Sequence, residues 1–150
     1  MSSNNNPDGE IKGFYHEKSI FVTGGTGFLG KVLIRKLVDS CPTISKIYLL
    51  IRHKRNKAPQ DRLNDLFKSP IFQDLHEDHL SKIKALSGDI TEPELGLSKE
   101  DLRTVIDEVS IIFHSAATVR FDEDLSKYVM NLPCVSLKTG PFEITNLLIR

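Results

Sequence analysis

Three glycines near the start of the chain have a spacing that suits the binding of a diphosphate. Gly24, Gly27 and Gly30 form a G-x-x-G-x-x-G pattern between the apolar run 20–23 and a helical pattern. A strand that enters a helix through glycines leaves unpaired backbone N–H groups at the positive end of the helix dipole, where phosphate binds. We expect Gly24 to allow the tight turn, Gly27 the approach of the phosphates and Gly30 the packing of helix on strand. The segment predicts a dinucleotide site, with a purely structural glycine turn as the alternative.

The same residues match most of a second phosphate-binding motif. Residues 25–31 read G-x-x-x-x-G-K, the beginning of the phosphate loop of nucleoside triphosphatases, which continues with Ser or Thr to bind Mg²⁺. Here Val32 follows, and its side chain has no oxygen for the metal. Phe28 and Leu29 also belong to the apolar face of the helix. We therefore favour a dinucleotide over a nucleoside triphosphate.

A basic residue lies where the adenosine ribose of a dinucleotide would be recognised. Arg52 ends the second predicted strand, and an acidic residue about 20 positions after the glycines would bind the ribose 2′-hydroxyl of NAD, whereas an arginine accommodates the 2′-phosphate of NADP. Lys54 and Arg55 add positive charge beside it. The pattern predicts NADPH as the cofactor, with a solvated basic loop as the alternative.

Polar and small residues also follow the third and fourth predicted strands. Asp89 lies where its short side chain can reach the adenine, or can simply cap a turn. His114 ends the fourth strand, where lining the cofactor cleft and simple packing are equally good interpretations. The residues predicted to contact the dinucleotide are Thr23, Gly24, Gly25, Thr26, Gly27, Phe28, Leu29, Gly30, Arg52, Asp89, Ile90, Ala116 and Ala117.

One run of histidines and acids resembles a metal site only superficially. In residues 76–79, His-Glu-Asp-His, the two histidines share a helix face, but the spacing is not that of a zinc enzyme and nothing completes a ligand set. The two cysteines, Cys41 and Cys134, have no metal-like spacing and form no disulfide framework. We predict no metal ligand and interpret the run as a solvated helix face.

The elements that must position these residues alternate along the chain. Apolar runs predict strands at 20–23, 46–52, 83–87 and 109–114, and helical patterns cover 28–39, 61–67, 71–80, 98–107 and 122–130. Alternation of this kind indicates a parallel sheet with right-handed crossovers. We predict an α/β, Rossmann-type doubly wound sheet that is incomplete, with about four strands in the order 3-2-1-4. Ligands bind where that order reverses, between strands one and four, where the glycines and residues 115–117 fall.

Composition excludes several classes of function. The 150 residues carry 20 basic and 20 acidic side chains, so the charge does not indicate a nucleic-acid partner. No apolar run approaches the length of a membrane span, and no signal peptide or C-terminal address is recognisable.

Several longer stretches, taken together, are specific to one family. They are Phe14-Tyr15, residues 18–33, Cys41-Pro42, residues 47–52, Arg62-Leu63 with Leu66-Phe67, and residues 88–93, 95–98 and 113–123. Through them the chain resembles the alcohol-forming fatty acyl-CoA reductases, in insect style, of the extended short-chain dehydrogenase/reductase superfamily.

This resemblance implies an activity, a cofactor and a location. Members reduce a long-chain fatty acyl-CoA to the aldehyde and then to the fatty alcohol, with NADPH giving a hydride each time. In the superfamily a Tyr-x-x-x-Lys pair supports the developing oxyanion, and a Ser or Thr helps to position the carbonyl. Related full-length proteins are tied to peroxisomal or endoplasmic reticulum membranes, on the cytosolic face.

The sequence departs from the family in two respects. None of its three tyrosines has a lysine four positions later, so we predict no catalytic residue. Residues 132–150 do not match the family, and an alternative splice form, a truncation or a gene-model error would each explain them. We expect a disordered tail at 1–13, an NAD(P)-binding domain at 14–131 and a divergent tail at 132–150. An inactive nucleotide-binding or interaction fragment is the alternative function, with self-association through the open edge of the sheet.

Overall fold

The chain forms a four-stranded parallel sheet. The computed structural model describes residues 7–54 and 57–116. Its strands are β1 (Ser19–Thr23), β2 (Lys46–Ile51), β3 (Ile83–Ser87) and β4 (Val109–His114). Their order across the sheet is β3-β2-β1-β4, and all three pairings are parallel. The predicted α/β class and strand order are therefore confirmed.

Helices connect the strands and precede the first of them. They are α1 (Pro7–Phe14), α2 (Phe28–Ser40), α3 (Pro59–Phe67), α4 (Glu77–Ser81) and α5 (Lys99–Glu108), with 3₁₀ turns at Pro70–Phe72 and Pro93–Gly96. Ser98 caps α5 by accepting a hydrogen bond from the Asp101 N–H at 3.0 Å, as its sequence pattern predicts. The predicted helix at 122–130 lies outside the described residues.

The sheet separates two layers of core. On one side Ile34 and Leu37 of α2 and Leu63 of α3 pack over Ile20 and Leu49. On the other side Val105 of α5 packs over Phe21 and Tyr48. Neighbouring residues of a strand point to opposite faces, and here both faces are covered. This is why β1 is buried along its whole length and why its sequence is apolar rather than alternating.

The predicted helix over 71–80 is wrong. The chain instead forms the 3₁₀ turn Pro70–Phe72, one further turn at residues 73–74, and the short α4. Arg35 on α2 donates a hydrogen bond to the Ile71 carbonyl at 2.7 Å, and the Leu75 N–H, which a helix would pair with that oxygen, donates to the Phe72 carbonyl at 3.1 Å instead. Phe72 is meanwhile buried, against Phe67. A tertiary contact with α2 therefore replaces the local helical pattern.

The N-terminal segment contains more order than its composition predicts. The sequence indicates a disordered tail over 1–13, whereas the structure has α1 at Pro7–Phe14. Tyr15, directly after α1, packs against the core. The Glu17 N–H donates to the Thr43 carbonyl at 3.0 Å, which fixes the chain just before β1.

Candidate dinucleotide-binding site

The turn after β1 has a backbone conformation that only glycine adopts readily. Gly24 has a φ of +72°, in the left-handed region. A Cβ there would also lie 2.6 Å from the Ala116 nitrogen and the Ser115 carbonyl carbon, which are backbone atoms. The chain after β4 therefore passes directly over the turn after β1. Both observations explain why the first glycine of the motif is needed.

The start of α2 leaves backbone donors available. Gly27 is the N-cap of this 13-residue helix, has no side chain to cap it, and is exposed. The first turn contains no acidic residue that would compete for its N–H groups. A Cβ at Gly27 would come within 3.3 Å of the Gly24 oxygen and would otherwise project into open space. This is the arrangement in which a phosphate can approach a helix N-terminus closely.

The ends of β1 and β4 are joined by hydrogen bonds between side chains and backbone. The Thr23 hydroxyl lies 2.6 Å from His114 Nδ1. The Ser115 hydroxyl donates to the Thr23 carbonyl at 2.9 Å, and the Ser115 N–H donates to the same oxygen at 3.2 Å. Burial lowers the pKa of His114, so its imidazole is neutral at pH 7. His114 is therefore half-buried at the end of β4, next to the Thr23 hydroxyl.

An arginine that is not among the predicted cofactor contacts lies between the glycine turn and the basic loop. Arg62 on α3 donates one hydrogen bond to the Arg52 carbonyl at 2.6 Å and another to the Thr26 hydroxyl at 3.2 Å. Burial and then the nearby Arg52 lower its pKa, but a guanidinium stays charged at neutral pH. The sequence could have indicated Arg62 as a site residue, because it lies beside the apolar face of the helix that follows the basic loop.

Arg52 and Asp89 are brought together by neighbouring strands. Arg52 directly follows β2, which ends one residue earlier than predicted, and Asp89 follows β3. Arg52 Nη1 lies 3.6 Å from Asp89 Oδ2. The N–H and hydroxyl of Thr91 donate to Asp89 Oδ1 at 3.0 and 2.9 Å. The carboxylate thus caps a turn and also faces the arginine.

The remaining predicted contacts lie around the same edge of the sheet. Phe28 and Leu29 open α2 with exposed side chains, 81% and 50% accessible. Ile90 is partly buried beside the α5 layer. Ala116 touches the glycine turn, as given above, while Ala117 and Arg55 lie outside the described residues. The run 76–79 lies away from this edge and contributes an exposed His76–Asp78 pair at 3.3 Å.

Comparison with models of known protein families identifies the family of this chain. The NAD-binding family model described as male sterility protein matches residues 22–132, which include the glycine turn, the Arg52 region and the end of β4. The chain belongs to this family. Among curated proteins, it is 45% identical over 118 residues to fatty acyl-CoA reductase 1 of Mus musculus, with 77% of this chain and 23% of that protein covered. It is 47% identical over 115 residues to the putative fatty acyl-CoA reductase CG8303 of Drosophila melanogaster, with 77% and 21% covered.

Solved reductase domains share the fold. The terminal R domain of the myxalamid PKS-NRPS pathway matches with a TM-score of 0.59 at 30% identity, over 75% of this chain and 28% of that one. The reductase domain of a nonribosomal peptide synthetase from Mycobacterium tuberculosis matches with a TM-score of 0.63 at 27% identity, over 77% and 29%. The NADPH-bound carbonyl reductase from chicken fatty liver, at 16% identity and a TM-score of 0.51, shows a common fold.

These comparisons cover one region of longer proteins. The chain spans less than a quarter of the length of the curated relatives it matches. The homology to fatty acyl-CoA reductases therefore concerns the NAD(P)-binding region. None of the helices in the described ranges is both long and apolar enough to cross a membrane.

Proposed function

We propose that this chain binds NADPH as the cofactor-binding part of a long-chain fatty acyl-CoA reductase. The observation that carries the proposal is the pair of arginines beside the glycine turn. Arg62 is hydrogen-bonded to the Arg52 carbonyl and to Thr26 of that turn. Two guanidinium groups at the end of β2 are suited to a 2′-phosphate, which NADPH carries and NADH lacks.

In this proposal, the diphosphate binds at the N-terminus of α2. The N–H groups of residues 28–30 in the uncapped first turn are available to it, since the Gly27 N–H already donates to the Gly24 carbonyl at 3.0 Å, and the helix dipole favours the negative charge. The 2′-phosphate binds Arg52 and Arg62, with Lys54 adding charge. The adenine lies towards Asp89 and Ile90, and Ala116 borders the cleft beside the turn. Phe28 and Leu29 shield one side of the diphosphate.

When bound, NADPH would supply the hydride that is delivered to an acyl carbonyl. The residues described here bind and orient the cofactor. The sequence contains no Tyr-x-x-x-Lys pair, so we assign these residues to holding NADPH for the hydride transfer and assign none of them a catalytic role. The acyl-CoA substrate and the peroxisomal or endoplasmic reticulum location belong to the proposal for the longer protein, supported by its reductase relatives.

A second function is favoured by that missing pair. In this second proposal the chain is an inactive nucleotide-binding or interaction fragment, and we expect cofactor affinity without reduction of acyl-CoA. The two proposals share the cofactor site and differ in turnover. They are separated by measuring NADPH oxidation in the presence of a long-chain acyl-CoA.

The proposed site is tested by titrating the purified chain with NADPH and NADH and following nucleotide fluorescence. We expect saturable binding with NADPH preferred. Equal affinity for the two nucleotides would remove the role of Arg52 and Arg62 in reading the 2′-phosphate. Binding of neither nucleotide would show that the glycine turn does not form a cofactor site in this chain.

A further inference from the structure

The ion pair between Arg52 and Asp89 has unequal partners. The Arg52 side chain is 64% exposed and that of Asp89 is 22% exposed. Asp89 is fixed through its side chain by the two hydrogen bonds from Thr91. Its backbone N–H also donates to the Leu95 carbonyl at 2.8 Å. A fixed carboxylate therefore faces an exposed arginine with many accessible rotamers.

The sheet itself determines how close the two residues come. Ile51, the last residue of β2, is paired with Ser87, the last residue of β3. The Gly88 N–H continues the ladder by donating to the Ile51 carbonyl at 3.4 Å. A Cβ at Gly88 would lie 2.3 Å from the Leu95 oxygen, so the chain is held tightly at this point. Arg52 and Asp89 thus leave adjacent strands side by side.

We propose that Asp89 is a positioning residue that sets the preference for NADPH over NADH by holding Arg52 in place. The inference rests on the proposed function, because it concerns the same 2′-phosphate. A phosphate that binds a free arginine must order that side chain at a cost in affinity. Asp89 orders it beforehand through Nη1 and leaves the other guanidinium N–H groups for the phosphate.

Contact with the adenine is the competing role for Asp89, and the two roles have different consequences. Asp89 Oδ1 already accepts two hydrogen bonds from Thr91, so Oδ2, the atom that faces Arg52, is the one left for another donor. NADPH and NADH carry the same adenine. Loss of an adenine contact weakens both nucleotides equally, whereas loss of a contact that acts through Arg52 weakens NADPH alone.

The test compares the full chain with Asp89→Asn, Arg52→Ala and the double variant, each titrated with NADPH and with NADH. Asp89→Asn keeps an oxygen that can accept from Thr91 and removes the charge. We expect it to weaken NADPH binding about five- to tenfold, the effect of leaving one flexible side chain unordered, and to leave NADH unchanged. In the Arg52→Ala background it should have no further effect on NADPH. Asp107→Asn, an exposed site on α5, is the matched control.

Thr91→Ala provides a second route to the same result. It removes the hydroxyl that anchors Asp89 while keeping the ion-pairing groups, and we expect a smaller loss with the same selectivity for NADPH. This variant decides the question if Asp89→Asn does not fold.

The results that would overturn the inference can be told apart. Equal weakening of NADPH and NADH would assign Asp89 to the adenine, and no change in either would leave it as a turn cap. Tighter NADPH binding would make Asp89 a competitor of the phosphate for Arg52. A parent chain without NADPH preference would overturn the proposed function, and this inference with it. A parent chain that prefers NADPH, with the ratio unaltered by Asp89→Asn, would overturn the inference alone.

Discussion

The oxygen of Gly24 lies 2.3 Å from the point that a Cβ on residue 30 would occupy, so Gly30 is the residue through which α2 rests on the turn after β1. The Gly25 Cα lies 2.6 Å from the same point. Both are backbone atoms and cannot rotate away. The third glycine of the motif therefore determines how closely the N-terminus of α2 approaches the turn, whereas the backbone conformation of the turn depends on Gly24.

We expect Gly30→Ala to displace α2 from the turn, destabilising the fold by about 1–3 kcal/mol, as overpacking does, and weakening NADPH and NADH together. Urea unfolding and fluorescence titration measure the two effects. Gly13→Ala on α1 is the control, since nothing lies within 4 Å of a Cβ there. Unaltered nucleotide binding in Gly30→Ala would contradict this account of the turn.

The arginine pair predicts selective loss of NADPH. Arg52→Ala and Arg62→Ala should each cost about 1.5–3 kcal/mol of NADPH binding, the value of one charge-assisted contact, and Arg52→Ala should spare NADH. Arg62→Ala should also affect NADH slightly, because its hydrogen bond to Thr26 supports the glycine turn. Titration with both nucleotides measures this, with the exposed Arg103→Ala on α5 as the control. A parallel loss for both nucleotides would place these arginines elsewhere than at the 2′-phosphate.

His114 predicts a loss of stability in mild acid. Burial lowers its pKa in the folded chain, so as pH falls below the ordinary histidine value, about 6.5, the unfolded chain takes up the proton first. The contribution of His114 is therefore present above that pH and is lost as pH falls towards the lowered pKa. Urea unfolding between pH 7.5 and 5 (about the range in which histidine titrates) should show a shallower pH dependence in His114→Gln than in the exposed control His16→Gln. Identical slopes would exclude His114 as the cause.

Arg35 predicts a second, more acidic transition. It binds Asp74 and Asp39 on the surface and the Ile71 carbonyl, and it holds the pKa of Asp74 below its usual value. The stability from this pair is present above the ordinary aspartate pKa and is lost as pH falls through the lowered one. We expect Arg35→Ala to lower the melting temperature at pH 7 and to reduce the further loss on acidification. Asp65→Asn, another surface carboxylate, serves for comparison, and a melting temperature unaffected by Arg35→Ala would refute the role.

The edge of the sheet predicts self-association. In the part of the chain that the structure describes, β4 pairs with β1 alone, and an unpaired edge is a template for another strand. Sedimentation over a range of concentrations should show oligomers or poor solubility. A monodisperse monomer that unfolds cooperatively would contradict this.

Local patterns were sufficient for most of the fold. The strands predicted at 83–87 and 109–114 match β3 and β4 at both ends. The strand order followed from the handedness of the crossovers. Local patterns predicted a helix over 71–80 that does not form. The Ile71 carbonyl there accepts a hydrogen bond from Arg35, which is 36 positions away in the sequence.

The sequence by itself determined the glycine turn, the class of fold and the family, since each depends on residue types at short, fixed spacing. Only the tertiary structure decided which side chains meet around that turn. Thr23 reaches His114 across 91 positions and Arg62 reaches Thr26 across 36. Such pairs depend on strand register and on where α3 packs. Both of these are determined by many weak contacts between distant parts of the chain. No spacing within a short segment records them.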